Sequence, residues 1–218
     1  MNDCYKVLAR KREDITLMAR RIRKITKTLD RPFFPILHFV EYVFYECFDV
    51  VTDSEFSEEL QGLTYPLSYT IQLKESVYNG LLKDNPQDRF TLAHELGHLL
   101  MHDNHIKTNQ KLNPKEDPEV QANTFAKELL APSYFFDGAN YKEIAQKCKI
   151  PQDYALEQQN FVLSDTFIKM FCNSNIKNNF LSKDYYIAVG ERKPFPPDLE
   201  LLVPHNNPVF RRLRIKKP

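Results

Sequence analysis

The stretch NPQDRFTLAHELGHLLMH, residues 85–102, decides how this chain is read. Asn85 is suited to cap a helix, and Pro86 fits a first turn, where its missing N–H leaves nothing unsatisfied. A helix is expected from there to about His102. On it, His94, Glu95 and His98 stand in the order H-E-x-x-H. Residues four apart differ by about 40° around a helix axis, so both imidazoles leave one face, a turn apart. That spacing lets two ring nitrogens reach one Zn²⁺ at roughly 2.0–2.1 Å. Glu95, about 100° round from His94, could take a proton from water at such a metal without itself being a ligand.

A zinc centre that does chemistry has three protein ligands and one open position. The metzincin arrangement needs glycine and histidine where this chain has Met101 and Asn104, so it is excluded. The other common arrangement takes a carboxylate from a later helix. Asp117-Pro118-Glu119 repeats the start signal and opens a helix running to Leu130, with Pro132 as its stop. Glu119, in the first turn, is the best-placed third ligand, and Ala122 and Ala126 on nearly the same face would let two helices approach closely. Glu116 and Glu128 are weaker alternatives. A first-turn glutamate can also do no more than complement the helix dipole. His102 rotates a further turn away from His98 and is read as a supporting or core histidine.

Outward from this pair, residues 5–29 form an amphipathic pattern (Ile15, Met18, Ile22, Ile25, Leu29) with arginines and lysines around it, read as a helix with a solvated basic face. Residues 36–48 read as a buried second helix. Leu67, Tyr69, Ile71 and Leu73 alternate with polar residues as a half-buried strand does. With Val50-Val51 and the stretch 60–64, they suggest a small sheet of about three strands, so the expected class is α+β: mostly helical, zincin-like, with the sheet beside the site helix. An edge strand at 67–73 could hold an extended substrate. Shorter helices are expected at 140–148 and 152–162. The domain is expected to span 1–173, followed by a Pro/Lys-rich extension, 174–218.

The net charge of +1 gives the molecule no general attraction to nucleic acid or anionic membrane. The charge is unevenly spread, with ten Lys/Arg against four Asp/Glu in residues 1–31 and five Lys/Arg in the last eight. Tyr141–Leu156 has the outline of a helix-turn-helix, but Asp153 and Glu157 on its second helix oppose phosphate binding, so direct nucleic-acid binding is not expected. No membrane-length apolar run and no secretory leader are seen, and the four dispersed cysteines suit reduced thiols. A cytoplasmic protein without a membrane partner is the expectation.

The two blocks RFTLAHELGHLLMH, 89–102, and EVQANTFAKELLAP, 119–132, resemble the ImmA/IrrE family of metallopeptidases. The resemblance extends more loosely from about 15 to 165. It implies that His94, His98 and Glu119 hold one metal ion and that Glu95 is catalytic; Zn²⁺ is expected, and two imidazoles and a carboxylate accept Mn²⁺ as well. It also implies that the substrate is a protein, a helix-turn-helix repressor whose cleavage relieves repression. The alternative is a non-catalytic, toxin/antitoxin-type regulator acting by binding a repressor partner, a reading that makes Glu95 superfluous.

Overall fold

The capping signals at 85 and 117 hold in three dimensions. In the computed structural model, the Asn85 side chain accepts from the N–H groups of Gln87 and Asp88, and Asp117 accepts from those of Glu119 and Val120. The structure describes residues 4–102, 105–108, 113–136 and 139–164. In chain order its elements are β1 (Cys4–Val7), α1 (Arg12–Ile25), α2 (Ile36–Val43), β2 (Phe48–Val51), β3 (Gly62–Tyr65) and β4 (Thr70–Lys74). There follow α3 (Glu75–Leu81), α4 (Pro86–Met101), β5 (His105–Thr108), α5 (Pro118–Leu130), α6 (Tyr141–Cys148) and α7 (Gln152–Val162).

The class is α+β, mostly helical, with a three-stranded mixed sheet in the order β2-β4-β3. β2 runs parallel to β4, pairing Phe48 with Ile71, and β3 runs antiparallel to it, pairing Thr64 with Ile71. Ile71 and Leu73 point into the core and are fully buried. Each such side chain contributes roughly 1.5–3 kcal/mol relative to exposure. α4 lies between this sheet and α5, and α1 covers the far side of α5. Because α4 is enclosed on most sides, it buries Leu92, Ala93, Leu96 and Leu99 together with Arg89 and Glu95.

Several boundaries depart from the sequence reading. The first helix starts at Arg12, not near residue 5, because residues 4–7 form a strand antiparallel to β5. It ends at Ile25, short of residue 29: the Thr26 hydroxyl donates back to the Ile22 carbonyl, and Lys27 turns left-handed at φ 57°. Its basic face is only partly solvated. Arg23 is fully buried and donates to the carbonyls of Leu129 and Arg31. The second helix stops at Val43, and its last expected residues become a 3₁₀ turn and β2.

The alternating strand is also shorter than 67–73. Residues 66–69 are the turn between β3 and β4, with Leu67 74% exposed and Tyr69 at φ 54°. A turn whose side chains alternate by chance carries the same period as a strand. α3 had no counterpart in the sequence reading.

The helix-turn-helix look-alike is a structural pair. Ile144, Ala145, Cys148, Ile150 and Ala155 face the core, and Tyr154 stacks on Phe90 of α4 at 3.7 Å between ring centres. Arg89 fastens that corner, donating to the carbonyls of Phe34 at 2.8 Å and Lys149 at 3.1 Å. Among the described residues, no helix is long and apolar enough to cross a membrane. The expected extension 174–218 lies outside them.

Candidate metal centre

α4 turns His94 and His98 toward α5, and the two helices nearly touch at Gly97. A Cβ there would stand 3.1 Å from Phe125 Cδ1 and 3.2 Å from Ala122 Cα. The close approach brings the first turn of α5 over the histidines. Glu119 Oε2 lies 3.2 Å from His94 Nε2, Oε1 lies 3.3 Å from His98 Nε2, and the two Nε2 atoms are 2.9 Å apart. In a tetrahedral zinc site with bonds near 2.05 Å, neighbouring donor atoms are about 3.3 Å apart. The two distances to Glu119 match that spacing, and the two ring nitrogens stand about 0.4 Å closer together than it. The histidine side chains are 17% and 15% exposed and Glu119 is 64% exposed, so the group is open to solvent on the carboxylate side.

The outward nitrogens show what the inward ones offer. His94 Nδ1 is 3.0 Å from Asn123 Oδ1, an acceptor, so the ring carries its proton there and turns a lone pair inward at Nε2. His98 Nδ1 meets His102 Nδ1 at 2.9 Å. Two imidazole Nε2 atoms and a carboxylate converge, an arrangement that demands positive charge. Protons answer the same demand. Hydrogen bonds from His94 and His98 hold the Glu119 carboxyl well below its usual range. At His94 burial pulls the pKa down, but the bond to Glu119 and the charges of Glu95 and Glu119 outweigh it, and the net shift is upward. A divalent cation satisfies the same three groups, so the donor set fits Zn²⁺ or Mn²⁺.

Glu95 is 8% exposed and held from the sheet side. The Thr64 hydroxyl, on β3, lies 2.7 Å from Glu95 Oε2 and 3.0 Å from the Glu95 carbonyl. Gly62 makes room for it, since a Cβ there would come within 3.1 Å of Glu95 Cγ and 2.6 Å of Leu73 Cδ2.

The weaker candidates lie elsewhere. Glu128 is buried and bound to Arg12, Gln158 and Ser133, and Glu116 gives its carbonyl to the Val7 N–H at 3.0 Å. His102 supports rather than joins the cluster. It is 2% exposed, and burial, then the neighbouring His98, push its pKa down to about 3. Among the described residues, His94, His98 and Glu119 are the one group able to share a metal.

Residues 61–156 match the family described as the IrrE N-terminal-like domain, a peptidase family (M78). That segment is IrrE-like. The IrrE-like segment runs from the start of β3 into α7 and contains Thr64, Glu95, both histidines, Glu119 and Asn123, while α1 and α2 lie outside it. Its family is one of peptidases, so the IrrE-like domain is metallopeptidase-like, with a metal ion and a protein substrate implied. No curated protein and no solved structure matches the chain.

Thr64, Gly62 and Asn123 are not among the site residues that the sequence leads one to expect. Asn123 could have been found, being one helical turn past Glu119 on the same face. Thr64 lies 31 residues from Glu95 and carries no local signal.

Proposed function

We propose that the chain is a metal-dependent endopeptidase, in which His94, His98 and Glu119 hold Zn²⁺ and Glu95 moves the protons. The observation that carries this reading is the convergence of three acceptor groups at metal-site spacing, with a buried glutamate one residue from the first of them. Two imidazoles and a carboxylate also accept Mn²⁺. When bound, such a cation supplies Lewis-acid chemistry, lowering the pKa of a water from 15.7 to about 7 and polarising a carbonyl oxygen.

The rest falls to the chain's own groups. Glu95 accepts the proton of the attacking water and returns it to the leaving amine nitrogen. Thr64 occupies Glu95 Oε2, which leaves Oε1 for that proton and holds the carboxylate in one orientation. Asn123 keeps the His94 ring turned so that Nε2 faces inward.

The sheet suggests how a polypeptide is held. β4, expected to offer the free edge, is the central strand, and β2 and β3 are the edge strands. An extended substrate adding to β3 would lie beside Glu95, through Thr64. The family resemblance points to a helix-turn-helix repressor in the cytoplasm as the substrate, cut so that repression is relieved. The test is to co-express the chain with the helix-turn-helix regulator encoded beside it and follow fragmentation on gels. Cleavage should stop with a chelator and in Glu95→Gln, which should keep its metal. Continued cutting by Glu95→Gln would remove the assigned role. Full biological effect without cutting would favour the binding-only alternative.

A further inference from the structure

The His98–His102 contact continues inward from the metal centre. His102 Nε2 lies 3.3 Å from Gln121 Oε1 on α5, and Gln121 Nε2 donates to the carbonyls of Leu8 at 2.9 Å and Lys115 at 2.6 Å. Gln121 and His102 are almost wholly buried, at 1% and 2% exposure. Each group in this line therefore meets a protein partner.

The direction of every bond follows from its far end. Two carbonyl oxygens can be met only by an NH₂ group, so the Gln121 amide has one possible orientation and its oxygen faces His102. That oxygen only accepts, so His102 carries its proton on Nε2 and offers a lone pair at Nδ1. His98 must then donate from Nδ1, which makes Nε2, the atom 3.3 Å from Glu119, the nitrogen that yields its proton to a cation. We propose that Gln121 is a positioning residue that sets the metal-binding tautomer of His98 through His102. It references the centre to two backbone carbonyls, one before α1 and one in the turn leading to α5.

The proposal rests on the metal-centre reading and adds a consequence to it. The turn at 114–116 presents α5, and hence Glu119; it also accepts the Val7 and Arg10 N–H groups through the carbonyls of Glu116 and Lys115, at 3.0 Å each. Gln121 therefore couples both metal-bearing helices to the N-terminal segment. Partners of this kind change metal affinity by about 10–100-fold when removed.

The test uses the full chain. Zn²⁺ affinity is measured by competition with a chromophoric chelator for wild type, Gln121→Met and His102→Leu, with circular dichroism as the check on folding. Both variants should bind about 10–100-fold more weakly while keeping the wild-type spectrum. Nitrogen-15 spectra of the wild-type histidines provide a readout needing no variant: His102 should be protonated at Nε2 and His98 at Nδ1. Finding His102 protonated at Nδ1, or affinities equal to wild type in both folded variants, would overturn the relay while leaving the metal centre standing. A wild-type chain that binds no Zn²⁺ would overturn the centre and the relay together.

Discussion

His94 and His98 each spend one ring nitrogen outward, on Asn123 and His102, and turn the other inward against Glu119. The consequence for the metal-free protein is a pH dependence with a definite sign. The folded His94 pKa is raised, so the stability it contributes is fully present below the unfolded value near 6.5 and is lost as the pH rises through the higher folded value. Glu119 is depressed and acts oppositely, its contribution being lost only under strong acidification. In chelator, the melting temperature should therefore fall on going from neutral to alkaline pH; below about 6.5 the depressed His102, protonated only in the unfolded chain, acts the other way. With Zn²⁺ in place of the proton that decline should disappear, and thermal melts with and without metal would check it. A metal-free protein whose stability rises over the same range would contradict the assigned protonation. The same residues decide Glu95→Gln, which removes a proton acceptor without touching any of the three donor groups.

At the scale of elements, the contact between α4 and α5 sets the separation of the donors. At Gly97 the helices are too close to admit a Cβ without a shift, and Ala122 presents a small surface opposite it. Gly97→Leu would force the helices apart and cost about 1–3 kcal/mol by overpacking. Because Glu119 rides on α5 and the histidines on α4, Zn²⁺ affinity should fall with it. Urea denaturation and chelator competition would measure the two effects. Retained stability with lost metal, or the reverse, would show that the helix contact does not govern the site. The small residues at 122 and 126 were legible in advance because they lie on the Glu119 face at helical spacing. The shortening of the first helix was not, because β1 exists only through its pairing with β5, a hundred residues along the chain.

For the molecule as a whole, the core draws on residues 15–155, and the candidate centre with its supporting groups lies between Leu8 and Asn123. A buried network ties the outer helices together: Arg12 of α1 and Gln158 of α7 both bond to Glu128 of α5. We propose the domain boundary near 173 that the composition suggests. A chain ending there should bind Zn²⁺ as the full chain does, with an unchanged melting temperature. Loss of either would assign the final segment a part in the fold.

What the sequence alone determined was local: two capped helices, two imidazoles a turn apart, and a carboxylate at the start of the next helix. These follow from helical periodicity and from cap chemistry, which act over a few residues. The tertiary structure decided the rest. It placed β3 instead of β4 at the sheet edge, set Thr64 against Glu95, buried Arg23, and joined Gln121 to the carbonyls of Leu8 and Lys115. Each of these is a contact between residues distant in the chain, where a buried polar group must find a partner and no periodic pattern says which one.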